Sequence, residues 1–349
     1  MKRILHVFPG RIWGGAEQYI LDLGQALQAD PRFEVRYMAR DSRPVRERLD
    51  GTVDYTLYST KALEEAMQWA DIVHIHDMGF VGDAVKARRR AGSNTRIILT
   101  RHIARGSIVM PWRRGALRQI DALLFVSDIG RRLWTDANRW FDPRKCHVIF
   151  NSIPPQTESA PLTPIIGSSG PVIMFTGRVR RSKGCETIVK ALGMVKDRPW
   201  EMFFVGAPKP ADYGDKLMKL ATKAGIADRI HLTGFVENAR SLVSRANIGV
   251  APSIVREAFG LSPVEFMQQC KAVIATNNGA QPEYITDGVD GLLVDPDNPD
   301  QLAAALATLL DNPQRREAIG RAAREKFESE MSYPAFLNKI TGIYLSEDI

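Results

Sequence analysis

The chain has 349 residues, 44% hydrophobic and 25% charged, which is enough for two ordinary cores and excludes a largely disordered protein. No run approaches the ~20 apolar residues that span a bilayer. Cys146, Cys185 and Cys270 are odd in number and scattered, which argues against a disulfide framework or a zinc site and for a reducing cytoplasm. The net charge of +7 is confined to one half. Residues 1–160 hold 25 Lys+Arg against 18 Asp+Glu, whereas residues 161–349 hold 22 of each. Such asymmetry points to an anionic partner for the first half: a membrane, a phosphorylated glycan or nucleic acid.

Met1–Phe8 starts like a secretion signal, but Pro9, Gly10 and Arg11 end the apolar run, so 3–8 reads as a first strand. Strand-like runs follow at 33–38, 71–76, 96–102, 122–127 and 147–151. The second half repeats the plan at 172–176, 201–205, 230–235, 247–251, 272–276 and 291–294. Most are continuous apolar runs, as expected of parallel strands covered on both faces. Helical spacing intervenes, with Leu21, Leu23 and Leu27 after Gly14-Gly15, then Ile188, Leu192 and Val195 after Gly184, then 302–310 after the turn at 295–300. The alternation predicts an α/β fold of two doubly wound, Rossmann-like domains. Pro, Ser, Thr and Gly cluster between Pro154 and Pro171, which marks a linker.

Thr176-Gly177-Arg178 through Lys183-Gly184 places two cations where a strand ends and a helix begins. Open α/β sheets bind ligands at that edge. An Arg fork and a Lys point charge suit a diphosphate, the alternative being two solvated cations on a loop. Glu257 and Glu265 follow on either side of Phe259-Gly260. Ser262-Pro263-Val264-Glu265 is a capping-box pattern with Pro at the first helical position, so Glu265 also has a plain reading as a helix cap. A helix beginning near Ser262 would aim its free N–H groups at a phosphate.

In the first half, Gly14-Gly15 forms a glycine turn between strand and helix without the Gly-x-Gly-x-x-Gly of a dinucleotide fold. Thr100-Arg101-His102 ends the fourth strand at the ligand edge, where a histidine is either structural or set beside a ligand. His74 and His76 share a strand face, and without further ligands at useful spacing they read as packing or hydrogen-bonding groups. Asp295-Pro296-Asp297 reads as a turn, so no metal is expected.

Residues 176–184 and 252–265 resemble the signature of the retaining nucleotide-sugar glycosyltransferases of the two-domain GT-B type, the glycosyl transferases group 1 (family 4). Gly279–Ile285, with Asp287-Gly288 and Asp290-Gly291, is similar to a further family stretch. The chain departs from it at Ala280 and at Asn151-Ser152, where the family has glycines. The resemblance is nearly continuous in the second half and patchy in the first. It implies two facing domains, an acceptor-side domain at 1–160 and a nucleotide-sugar domain at 161–332, with a helix at 333–349 crossing back to the first. It further implies that Arg178 and Lys183 stabilise the departing diphosphate, that Glu257 meets the transferred sugar, and that His102 lies near its reacting side. Gly14, Gly15, Gly177, Phe259, Gly260, Leu261, Ser262 and Glu265 would line the donor, with Glu265 on the ribose hydroxyls. No cofactor beyond the nucleotide sugar is implied, with a UDP-hexose or UDP-N-acetylhexosamine expected first and a GDP-sugar next. The acceptor would be a bacterial surface glycan or a lipid-linked sugar. Two alternatives stand beside this: a nucleotide-sugar epimerase of similar fold, and a basic nucleic-acid-binding protein, for which no recognition module is visible.

Residues 86–145 hold 15 Lys+Arg against 4 Asp+Glu, and Arg105–Arg118 interleaves cations with bulky apolar groups. Around Trp112, Arg113, Arg114 and Arg118 this predicts a loop and short helix docking on the anionic inner face of the cytoplasmic membrane. The alternative is a solvated basic face with Ile108 and Trp112 packed inside.

Overall fold

The computed structural model describes residues 1–156 and 170–346. Residues 157–169 of the expected linker, and the boundary expected at 160, lie outside the described residues. The chain forms two compact units, Met1–Asn151 with Pro334–Ile349, and Ser152–Tyr333.

The first unit carries β1 (Lys2–Phe8), β2 (Phe33–Ala39), β3 (Tyr55–Leu57), β4 (Ile72–Ile75), β5 (Arg96–Arg101), β6 (Ala122–Phe125) and β7 (Cys146–Val148) in the order β3-β2-β1-β4-β5-β6-β7. The second carries β8 (Val172–Thr176), β9 (Glu201–Val205), β10 (Ile230–Gly234), β11 (Ile248–Ala251), β12 (Ala272–Thr276) and β13 (Leu292–Val294) in the order β10-β9-β8-β11-β12-β13. Every strand pairing is parallel. In each sheet the order reverses beside the first strand, between β1 and β4 and between β8 and β11. That is the switch point where doubly wound sheets open a crevice at their carboxyl ends.

β4, β6, β8, β11 and β12 are buried along their whole length, which is why they read as unbroken apolar runs. The strand at β3 has no such signal. Tyr55, Thr56 and Leu57 form a short edge strand with two of three residues exposed, so no apolar run announces it. β7 is Cys146–Val148, so only His147 and Val148 of the run expected at 147–151 lie in the sheet. Beyond it the backbone leaves the sheet, and Ser152 Oγ donates to the Met331 carbonyl at 2.5 Å.

The helix Cys185–Met194 packs Ile188 and Leu192 into the second core, each fully buried. A Leu or Ile so buried contributes about 1.5–3 kcal/mol, enough to anchor the exposed turn just before it. The final helix, Tyr333–Leu345, joins the first unit. Tyr344 Oη lies 2.6 Å from His74 Nδ1, and the Arg96 guanidinium donates to the carbonyls of Ile343, Tyr344 and Ser346 at 2.8–3.1 Å. These carbonyls end a helix and have no intrahelical donor, so a cation there satisfies them.

Candidate active site

The second unit builds its site from the ends of β8 and β11 and the helix Leu261–Gln268. After Thr176 the chain turns through Gly177 at φ 132°, then returns through Gly184 at φ 76°, both in the region that favours glycine. At Gly184 a Cβ would collide with the Pro252 carbonyl, so this glycine lets the cation-bearing turn lie against the loop that follows β11. Across that approach, Lys183 Nζ donates to Glu257 Oε1 at 2.5 Å, and Ser253 Oγ donates to the same oxygen at 2.5 Å. Both members of the ion pair are half-buried. The Glu257 backbone is held in turn by Gly279 and Ala280, with Ala280 N donating to the Glu257 carbonyl at 3.2 Å. At Gly279 a Cβ would also strike that carbonyl, which gives the 279–285 stretch a supporting role.

A second cluster lies beside the first. Thr176 Oγ1 is 2.5 Å from Ser262 Oγ and donates to Glu265 Oε2 at 3.2 Å, while Arg240 Nε donates to Glu265 Oε1 at 3.2 Å. This corrects the expected capping box. The helix begins at Leu261, its N-cap is Gly260 at φ 87°, and no side chain caps it. Pro263 and Glu265 therefore sit one turn in, where Glu265 cannot reach back to the cap and bonds Thr176 and Arg240 instead. The open first-turn N–H groups of Leu261 and Ser262 remain a place for an anion.

Arg178 is exposed, and its guanidinium has no protein partner among the described residues. Gly177 is also exposed. Phe259 is different. Its ring is buried against Tyr284, so only its backbone is open to a ligand, and Tyr284 Oη donates to its carbonyl at 2.9 Å. Leu261 is half-buried. Sequence reasoning missed Thr176, Arg240 and Ser253; of these only Thr176, as the last residue of a strand, carried a local signal.

The first unit has a cavity of about 570 Å³ at the carboxyl ends of β1, β4 and β5. His102, Trp112 and Arg113 line it, together with Ala16 and Glu17 from the first turn of the helix Gly15–Gln28. Gly14 caps that helix in an extended conformation (φ −156°) that any residue adopts, so the Gly14-Gly15 pair makes no left-handed turn. Behind the cavity the imidazoles form a chain. His6 Nδ1 is 3.0 Å from His76 Nε2, and His76 Nδ1 is 3.2 Å from His102 Nε2. Burial holds His6 down to about 3 and His102 to about 4, and lowers His74 and His76 well below the usual imidazole range. All four are therefore neutral near pH 7.

His6, His74 and His76 form the one metal-ligand cluster among the described residues. Its nitrogens are largely spent on protein: His74 Nε2 lies 2.7 Å from Thr100 Oγ1 and its Nδ1 meets Tyr344. In the second unit, Asp295 accepts from Asn277 and Gln301, and Asp297 accepts from Thr187.

The basic segment folds as the expected loop and short helix, Pro111–Leu117. Trp112 and Ile108 are exposed rather than packed inside, at 74% and 68%. Arg114 and Arg118 lie over the Trp140 ring at 5.3 and 5.5 Å, away from the cavity that Arg113 lines.

Residues 164–326 match the family model of glycosyl transferases group 1, and residues 13–157 match that of glycosyltransferase family 4. The chain is similar to a GDP-mannose-dependent monoacylated alpha-(1-6)-phosphatidylinositol monomannoside mannosyltransferase of Corynebacterium glutamicum, 26% identical over 97% of this chain and 96% of that protein. A D-inositol 3-phosphate glycosyltransferase of Paenarthrobacter aurescens is 37% identical over 45% of this chain and 40% of its own. Among solved structures, Anabaena HepE in complex with UDP and glucose superposes with a TM-score of 0.83 at 18% identity, covering 99% of this chain and 100% of that one. The two family models together span most of the chain and support a glycosyltransferase of group 1, and the two parallel Rossmann-like sheets match the GT-B fold.

Proposed function

We propose that the protein moves a sugar from a nucleotide diphosphate donor to a bacterial glycan or lipid-linked acceptor, with retention at the anomeric carbon and without a metal. The observation that carries this reading is the half-buried Lys183–Glu257 pair, set beside the unpaired Arg178 and the open start of the helix Leu261–Gln268. Lys183 has three N–H donors and gives one to Glu257, so two remain for phosphate oxygens. Arg178 adds a fork, and the helix N-terminus adds aligned N–H groups. Charge that develops on the departing diphosphate is then met by fixed donors, the role a divalent cation would otherwise fill.

Glu257, oriented by Ser253 and Lys183, would accept from hydroxyls of the transferred sugar, and Glu265, held by Thr176 and Arg240, from the ribose. No side chain is assigned as a covalent nucleophile. In the same-face reaction the bond from the anomeric carbon to the diphosphate oxygen breaks, the acceptor oxygen bonds that carbon, and its proton passes to the departing phosphate. HepE, solved with UDP and glucose, supports a UDP-sugar; the corynebacterial mannosyltransferase supports a GDP-sugar. We favour UDP.

The exposed Ile108 and Trp112 beside Arg113 support reversible attachment to an anionic membrane surface. No helix among the described residues is long and apolar enough to cross a membrane.

A donor panel tests the proposal: thermal stabilisation by UDP-, GDP-, ADP- and TDP-sugars, then release of free nucleotide with and without acceptor. A donor at 100 times its dissociation constant stabilises by about 2.7 kcal/mol. Acceptor-dependent release of UDP or GDP supports transfer, whereas conversion of the donor without acceptor favours an epimerase.

A further inference from the structure

We infer that the acceptor carries an anionic group, a phosphate or a carboxylate, and that Arg101 in the cavity of the first unit reads it. This rests on the transferase reading above and adds the chemistry of the second substrate. Arg101 is the last residue of β5, is 4% exposed and lines the cavity. A guanidinium so buried ordinarily faces a carboxylate, because an unpaired buried charge is expensive. Here, among the described residues, none lies within ion-pair distance of it. Nη2 donates to Ser107 Oγ at 3.1 Å, Nη1 points at the weakly accepting sulfur of Met78, and Nε is buried without a partner. The ring of Trp134 lies 5.7 Å beneath the guanidinium.

Asp77 is the carboxylate that favours the Arg101 charge, but it is exposed and its Oδ1 accepts from Gly79 N at 2.7 Å. Burial lowers Arg101 to about 10, which leaves it a cation at neutral pH. The cavity thus contains a buried cation with no carboxylate in ion-pair distance among the described residues, and the exposed Arg113 as a second cation. The carboxylates Glu17 and Asp77 line the same space and suit sugar hydroxyls. A neutral glycan would use those carboxylates and leave Arg101 unmatched, whereas a sugar bearing a phosphate or carboxylate uses both kinds of group.

The test is calorimetric titration of the full chain with UDP or GDP present at saturation, so that the second unit is filled. Five soluble or lipid probes are compared: glucose 1-phosphate and glucuronate against methyl α-glucoside, and phosphatidylinositol vesicles against phosphatidylcholine vesicles. The expected result is that at least one anionic probe binds roughly tenfold or more tighter than its neutral counterpart, and that Arg101→Met removes this difference without changing nucleotide affinity. Arg101→Lys should restore part of it, since charge returns without the fork. Dependence on Arg101 for glucose 1-phosphate alone identifies a soluble phosphate, for glucuronate a carboxylate, and for the vesicles a lipid headgroup; each supports the inference. Equal binding of anionic and neutral probes, or unchanged anionic binding in Arg101→Met, overturns it. If Arg101→Met fails to fold, Arg101→Lys alone should weaken the anionic probe relative to the wild type and leave methyl α-glucoside unchanged, and unchanged anionic binding there overturns the inference. Failure of both nucleotides to bind would sink the donor reading, and the Arg101 comparison would still stand because both chains share the second unit.

Discussion

At the carboxyl edge of the first sheet, three buried imidazoles, the half-buried His102 and the buried Arg101 guanidinium have no carboxylate paired to them among the described residues. At the same edge of the second sheet, cations and carboxylates meet directly, Lys183 with Glu257 and Arg240 with Glu265. The strand order at the two switch points is the same. The backbone therefore supplies the crevice in both units, and the side chains at the strand ends decide its chemistry. One edge is neutral and hydrogen-bonded with a lone buried positive charge. The other is polarised and internally compensated, with ready-made donors held close to the carboxylates that are proposed to read hydroxyls.

The sharpest way to break this comparison is to remove the polarised pair. Arg178→Ala or Lys183→Ala should each lose about 2–4 kcal/mol of transition-state stabilisation, measured as kcat/KM with the donor that the panel identifies. Glu257→Gln should lower kcat while nucleotide diphosphate still binds. Wild-type turnover in all three variants would detach the second edge from catalysis.

Glycines separate the units next. Gly184→Ala forces a Cβ into the Pro252 carbonyl at a positive φ, and should destabilise the second unit by about 1–3 kcal/mol in denaturant melts. Gly14→Ala meets only Glu17 Oε2 at an ordinary 3.5 Å, so it should cost no more than the difference between Gly and Ala at an N-cap, about 1 kcal/mol.

Acid should act on the first unit. His6, His74, His76 and His102 have lowered values in the fold, so below about pH 6.5 the unfolded chain binds more protons than the folded one. Their contribution is whole above that pH and falls as pH drops towards about 4, where His102 begins to titrate in the fold. Each imidazole contributes a slope of roughly 1.4 kcal/mol per pH unit across that window. Calorimetry between about pH 7 and pH 5 should therefore show a lowered transition whose slope is reduced in His6→Asn. A flat profile would contradict neutral burial.

The smallest effect belongs to the basic helix. Trp112→Ala and Arg113→Glu should each weaken sedimentation with anionic vesicles by about 1 kcal/mol, more at low salt than at high. Equal binding to neutral vesicles would remove membrane attachment from the account.

The sequence disclosed the strands wherever burial on both faces made an apolar run, and it missed Tyr55–Leu57 because an exposed edge strand has no such run. The cations and carboxylates of the second edge were legible because they lie in two short segments. Their partners were not: Arg240 reaches Glu265 across 25 positions, a link that only the packing of the second unit creates. The capping box misled because Gly260, at φ 87°, starts the helix earlier than Pro263 implies. His74 and His76 could be placed on one face by alternation, but the chain from His6 to His102 depends on the parallel register of β1, β4 and β5. Arg101 looked like any strand-end cation, since only the fold reveals that, among the described residues, no carboxylate lies within ion-pair distance of it.

The proposed hold of Arg178 and Lys183 on the donor diphosphate underlies the whole reading of the second unit. It is tested most directly by titrating UDP and GDP, in excess EDTA, into the wild-type chain and into the double variant Arg178→Ala/Lys183→Ala. The wild type should bind one of the two nucleotides with EDTA present, and the double variant should lose roughly a hundredfold in affinity. Equal affinity in both chains, or binding by the wild type that EDTA abolishes and magnesium or manganese restores, would contradict it.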